Sequence, residues 1–218
     1  MSGPRNRSWL ADNGMSVALL GLFGLCVLGQ GWTGWRAYDQ SLGAAHMQRL
    51  GLGAYLSTGN FLDGIFSNWQ AAILQLAVLV SFGSVLRQKG AAHSRKEDAS
   101  AHRRVHWKFG ARPSVTRWIY ANSLSLAFFA IFVLSFALHL VFGAMKYNED
   151  QALQHLPPIG RQAYAVSAAF WFSVFQCWEA EFSAMGLYLV LSIFLRQEGS
   201  SESKPVGASD DDTGETNE

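Results

Sequence analysis

The sequence predicts an all-α protein: four transmembrane helices in a bundle built from two parallel two-helix repeats. Three observations predict it. Four long stretches are nearly free of charge, the chain matches itself at one constant offset, and its Lys and Arg residues gather on alternate connections. Of 218 residues only 15% are charged, against roughly a quarter in ordinary globular chains. Eight Trp and fifteen Phe accompany a hydrophobic fraction of 50%, which excludes disorder of the whole chain. Two Cys exclude a disulfide scaffold. A net charge of +1 gives no global basic field for nucleic acid.

A helix needs roughly 20 apolar residues to cross the hydrocarbon of a bilayer. The first stretch, Asn13 to Trp35, contains no Asp, Glu, Lys or Arg. The second, Gly64 to Leu86, and the third, Trp118 to Met145, are also uncharged. The fourth, about Ala165 to Leu195, carries only Glu179 and Glu181. The predicted spans are about 13–35, 64–87, 120–145 and 170–196. Arg5 and Arg7 before the first span fit a secretory signal, and Cys26 invites a lipid-attachment reading. Leu25 is too bulky for a lipobox, however, and the apolar run is long for a signal core.

A shift of 109 residues aligns the chain on itself without a gap. Trp9, Asn13 and Ser16 fall on Trp118, Asn122 and Ser125. Tyr55, Phe61, Phe66 and Trp69 fall on Tyr164, Phe170, Phe175 and Trp178. Leu86, Arg87, Gln88 and Gly90 fall on Leu195, Arg196, Gln197 and Gly199. Apolar bias produces matches among Leu, Ala and Phe, but not ordered Trp, Asn, Tyr and Arg-Gln-x-Gly matches. The first span pairs with the third, which cannot be a signal, so the first is read as a spanning helix too. Residues 1–90 form the first predicted repeat, 91–116 a basic linker, 117–200 the second repeat and 201–218 a disordered acidic tail. Each repeat returns the chain to its starting side, so both should point the same way.

The link from Arg87 to Arg117 carries nine Lys or Arg. With the N-terminus and the tail side the count is thirteen, against four on the two other loops. The side rich in Lys and Arg is cytoplasmic. Both termini and the linker are therefore predicted inside, and the loops around 36–60 and 146–168 outside. His93, His102 and His106 admit a metal or nucleic-acid reading of the linker, but a solvated topogenic loop suits its composition better. Thr58 and Ser167 stand where the second and fourth helices should begin, near residues 59 and 168, as hydroxyls that cap a helix start. Asn13 and Asn122 are expected to cap the odd helices.

Glu179 and Glu181 are the sharpest polar feature, because acids inside a membrane are costly. His139, late in the third helix, stands at a depth that permits a pair with them. The repeat places Gln30 opposite His139 and Gln70 opposite Glu179, so His139, Glu179, Glu181, Gln30 and Gln70 form the candidate polar site. Three readings stand: a proton or cation site, carboxylates at the interface near a helix start, and hydrogen bonds between helices. No phosphate loop, zinc spacing or nucleophile elbow is present. The expectation is therefore no catalytic residue, no metal and no cofactor.

Several stretches resemble a bacterial family of small integral membrane proteins of uncharacterised function. They are Asn13-Gly14-Met15-Ser16, Tyr55-Leu56-Ser57-Thr58-Gly59-Asn60-Phe61, Asn68-Trp69-Gln70 and Leu195-Arg196-Gln197-Glu198-Gly199-Ser200. That family's W-Q-S-E-F-L-Q pattern is kept in part at Trp178-Glu179-Ala180-Glu181-Phe182, whereas Trp69-Gln70-Ala71-Ala72 lacks the acid. The resemblance implies location and topology, and no activity. The expected protein is a non-enzymatic, multi-pass protein of the bacterial plasma membrane with a structural or accessory role. Its expected partners are the lipid bilayer and either further copies or other membrane proteins, not nucleic acid. The alternative is an oligomeric small transporter or channel using an outer-leaflet His/Glu site.

Overall fold

The computed structural model describes residues 9–94 and 115–214. Most of the basic linker, with His102 and His106, lies outside them, as do Arg5 and Arg7. Among the described residues the architecture is all-helical, as the sequence predicts. In order these are α1 (Trp9–Asp12), α2 (Gly14–Ala44), α3 (Leu52–Tyr55), α4 (Gly59–Val85), α5 (Val115–Ala121), α6 (Ser123–Leu153), α7 (Arg161–Ala165) and α8 (Ala168–Phe194). The four long helices, α2, α4, α6 and α8, are long and apolar enough to cross a membrane. Their apolar side chains stay largely exposed: Leu20, Leu25 and Leu28 on α2 are 67%, 67% and 73% exposed. Water would not tolerate that surface, whereas lipid would.

The long helices form in matched pairs. Helices α2 and α6 have 31 residues each, and α4 and α8 have 27. Both pairs start 109 residues apart. Helices α2 and α6 run beyond the expected spans, ending at Ala44 and Leu153 rather than near 35 and 145. Hydropathy marks where a helix leaves the apolar layer, and a helix can continue past that point as an amphipathic turn or two.

Both extensions end alike. His46 and His155 are the two non-glycine residues with positive φ among the described residues, at 56° and 57°. Met47 N–H donates to the Leu42 carbonyl at 2.8 Å, and Leu156 N–H to that of Gln151 at 2.9 Å. His46 and His155 N–H donate to the carbonyls of Gly43 and Ala152. That is the Schellman closure, which satisfies two otherwise orphaned carbonyls and requires a left-handed residue.

The helix starts divide the expectations. Thr58 and Ser167 cap as predicted: their hydroxyls accept from Phe61 N–H at 3.3 Å and Phe170 N–H at 3.2 Å. Asn13 does not cap α2 with its side chain. Its Nδ2 instead donates back to the Trp9 carbonyl at 2.9 Å, and Asn122 Nδ2 does the same to Trp118 at 2.8 Å. A side-chain amide can donate as well as accept, so here it closes the short helix before it rather than opening the long one after it.

The chain divides into two compact units. One is Met1–Ile65 with Val141–Ala163, the other Phe66–Leu140 with Tyr164–Glu218, so α4 and α6 contribute to both. In the second unit the segments after α4 and α8 fold into the same turn. Gln88 N–H donates to Ser94 Oγ and Gln197 N–H to Ser203 Oγ, both at 2.8 Å. Gly90 and Gly199 take the left-handed position, at φ 83° and 77°. Residues 204–214 then wrap around Lys204, whose ammonium donates to the carbonyls of Ser209, Asp210 and Asp212 at 3.1 Å each. Burial lowers the pKa of Lys204, reinforced by the nearby Arg196 charge.

Candidate functional site

The first unit holds a polar cluster that no sequence motif announces. Lys146, Glu149 and Asp150 lie on the last turns of α6, beyond its apolar stretch. The Glu149 carboxylate accepts from Gly59 N–H at 2.7 Å with one oxygen and from Asn60 N–H at 2.8 Å with the other. These are the first amides of α4, which have no partner within their own helix and sit at the positive end of its dipole. Lys146 Nζ reaches Asp63 Oδ2 at 3.3 Å, and the Asp63 side chain is 7% exposed.

Gly59 makes this approach possible. A Cβ there would lie 2.6 Å from the Met145 carbonyl carbon and overlap the Lys146 backbone nitrogen. Backbone meets backbone at that point, so only glycine fits. Tyr55, 2% exposed, packs against Tyr38 and Phe61 with ring centroids 5.7 Å away in each case. Its hydroxyl donates to Asn60 Oδ1 at 3.1 Å. Gly34 leaves the space that this hydroxyl occupies. Burial raises the Tyr55 pKa, and the Glu149 charge raises it further, so Tyr55 stays a neutral donor. Around this core the loop is tied down by Trp35 Nε1 donating to the Leu50 carbonyl at 2.7 Å and by the Arg49–Asp39 ion pair at 3.3 Å.

The second unit holds most of the candidates named from sequence. His139 is fully buried, with Phe136 and Phe170 around its ring and Ser173 Oγ 3.4 Å from its Nε2. Gln70 is fully buried too. It accepts from Trp178 Nε1 at 2.9 Å and donates to the Ser67 carbonyl at 3.0 Å. This joins α4 to α8 through the position that the repeat matches with Glu179. Glu179 itself is exposed and Glu181 partly so, and neither makes a hydrogen bond or ion pair among the described residues. Gln30, in the first unit, is half-buried, and its amide lies where a Cβ on Gly64 would come within 2.7 Å. Thus His139 meets Ser173 and aromatic rings, Gln70 meets Trp178, and the two glutamates stand apart.

Among the described residues neither Cys26 nor Cys177 is in a disulfide. Among the described residues no group of three or more His, Cys, Asp or Glu could hold a metal ion. What both clusters do chemically is satisfy helix amides and buried polar atoms with partners from another helix, a task that becomes more important as water is excluded.

Compared with known protein families, the chain matches a domain of unknown function, DUF6766, over residues 6–215. The chain belongs to the DUF6766 family. The DUF6766 match spans both polar clusters and all four long helices. No match is found among curated proteins or among solved structures.

Sequence reasoning missed the Glu149 cluster. A signal was present: Lys146, Glu149 and Asp150 stand at i, i+3 and i+4, one face of a helix. The residue matching Glu149 in the other half of this DUF6766 chain is the uncharged Gln40.

Proposed function

We propose that this DUF6766 protein is a multi-pass, non-enzymatic protein of the bacterial plasma membrane with a structural or accessory role. The observation that carries the reading is the Glu149 carboxylate. Both its oxygens are committed to the first amides of α4. Exposed apolar helix faces and the thirteen-to-four distribution of Lys and Arg favour insertion with both termini cytoplasmic. The test is alkaline carbonate extraction of the membrane fraction together with compartment reporters on each terminus. Retention with two cytoplasmic reporters is expected; extraction, or reporters in opposite compartments, overturns the reading.

We further infer an internal duplication. Equal helix lengths, the two Schellman closures at His46 and His155, and the two Gln–Ser turns all recur at the offset of 109. Parallel repeats with a pseudo-twofold axis along the membrane normal follow from an even number of spans per copy.

A second reading, an oligomeric transporter or channel, is favoured by His139, because ionisable side chains buried in membrane helices mark ion paths by default. Proton or cation flux in proteoliposomes distinguishes it. Flux that falls in His139→Ala and Glu181→Gln favours this reading, and flux insensitive to both removes it.

A further inference from the structure

Where the last turns of α6 meet the start of α4, the first unit gathers three carboxylates and one ammonium, and each acid is held differently. Both Glu149 oxygens accept from backbone amides, Gly59 at 2.7 Å and Asn60 at 2.8 Å. Asp63 is buried and takes Lys146 Nζ at 3.3 Å. Asp150 is half-buried and makes no hydrogen bond or ion pair among the described residues. The ionisable groups that face Glu149 and Asp150 are Tyr38 on α2, Tyr55 on α3, Asp63 on α4 and Lys146 on α6 itself. Asp39 and Arg49, also in this unit, pair with each other at 3.3 Å.

With every group ionised, three negative charges would face one positive charge in poorly solvated surroundings. The other half of the chain has no such excess. The positions matching Lys146, Glu149, Asp150 and Asp63 are Ala37, Gln40, Ser41 and Phe172, none of them ionisable. A helix start of this kind therefore forms without the cluster, as it does at α8. Like charges that share a half-buried site favour uptake of a proton. Burial raises the Asp150 pKa; Lys146 opposes the rise and Asp63 adds to it. Burial also raises that of Glu149, against the pull of its two amide bonds. Tyr38 is pushed up to about 12, by burial first and then by these two acids, and stays neutral. A proton on Glu149 would cost an amide bond, and one on Asp63 would cost the pair with Lys146. Asp150 has no such bond to lose, and its partial exposure lets the proton come from solvent.

We propose that Asp150 is the proton acceptor of a pH-responsive latch between α6 and the start of α4. A proton taken up there leaves Lys146 to Asp63 and Glu149 and tightens the anchor on Gly59 and Asn60. The sign is opposite to that of an ordinary capping carboxylate, which acid loosens. A carboxyl whose folded-state pKa lies above its unfolded one adds stability as pH falls through the raised value, fully so below the unfolded value. The orientation proposed above turns this end outward, so the pH sensed is that of the external medium. Terminal reporters that contradict that orientation would change the side sensed and leave the latch standing.

The test is hydrogen exchange on the full chain in mild detergent at about pH 7.5 and about pH 5.5, above the ordinary carboxylate range. The readout is the protection factor of the Gly59 and Asn60 amides, the intrinsic rate at each pH divided by the observed rate. In the wild type it should rise about two- to five-fold on acidification, the scale of a partly exposed charge interaction. Asp150→Asn, a neutral mimic of the protonated acid, should show the higher value at both pH values. Asp150→Glu keeps a titrating group and should keep the response, as should Glu198→Gln, an exposed acid of the second unit. Circular dichroism shows that each variant is helical; if Asp150→Asn is not, Asp150→Ser, which installs the residue of the matched position, replaces it. Protection that is constant or falls on acidification in the wild type overturns the proposal. So does a pH response that survives in Asp150→Asn.

Discussion

The starts of α4 and α8 are the same local structure held in two different ways. Each is preceded by a hydroxyl that accepts from the third helical amide, and each follows a buried tyrosine, Tyr55 or Tyr164. At α8 the cap is Ser167, with Trp171 Nε1 donating to the Ala165 carbonyl at 3.1 Å. At α4 a glutamate from ninety residues away takes the first two amides, and the glycine at position 59 lets the α6 backbone come close. Three matched positions account for the difference: Gly59 against Ala168, Asn60 against Ala169, and Glu149 against Gln40. A helix start needs only its local cap to form. Its anchor to another helix at α4 depends on residues that differ from their matched positions on both partners.

The largest expected contrast is at the first residue of each helix. Gly59→Ala pushes a Cβ into the Met145–Lys146 backbone and should cost about 1–3 kcal/mol, the usual scale of overpacking. Ala168→Gly should cost well under about 1 kcal/mol. Unfolding of the full chain in detergent, followed by circular dichroism, reads both. Equal costs would break the distinction between an anchored and a free start.

Next comes the anchor itself. Glu149→Ala leaves the amides of Gly59 and Asn60 without their acceptor and should destabilise by about 1–3 kcal/mol, whereas Gln40→Ala should be near neutral. Hydrogen exchange should localise the loss to the amides of residues 59 and 60. Protection there unchanged in Glu149→Ala would show that the carboxylate is incidental.

A smaller effect sharpens the same point. Ser167→Ala should cost about 1 kcal/mol as a lost cap. Thr58→Ala should cost less in the wild type, because Glu149 also holds that end, and should approach the Ser167 value in a Glu149→Ala background. A coupling energy of about 0.5 kcal/mol in the double-mutant cycle is the expected signature, and strict additivity would refute it.

The sequence made the local half of this legible and left the long-range half hidden. The four long helices could be read because an uncharged run of such length has few physical alternatives. The starts at Gly59 and Ala168 could be read because a hydroxyl cap is a short-range signal. The backward bonds of Asn13 and Asn122 escaped because an amide serves as donor or acceptor equally well, and only the backbone around it decides. Glu149 escaped because its partners are backbone amides, which carry no residue identity to search for. Gln70 was chosen for its match with Glu179, yet its partner is Trp178, the neighbour of that match. The repeat pointed to the right level of the helices but not to the bond made there.

The smallest expected effect compares the two C-terminal turns. Lys89 in the first turn pairs with Asp211, and the matching position in the second turn is Glu198. The hydrogen bond and charge of Lys89 hold the Asp211 carboxyl below the usual carboxylate range. A folded-state pKa below the unfolded one contributes stability above the ordinary carboxylate range, and that contribution is lost as pH falls through the lower value. The pair is exposed, so docking of residues 209–214 on the turn should loosen only slightly on acidification, and the effect should fade at about 1 M salt, where screening reaches about 3 Å. The Gly214 amide, which donates to the Ala91 carbonyl at 3.1 Å, is the reporter. Its protection factor, the intrinsic exchange rate at each pH divided by the observed rate, should fall at acid pH in the wild type, and Lys89→Ala should remove that dependence while leaving the three carbonyl bonds of Lys204 in place. If the protection factor at Gly214 is the same at both pH values in the wild type, the tail docks through Lys204 and Thr213 alone, and the charge difference between the two turns has no part in it.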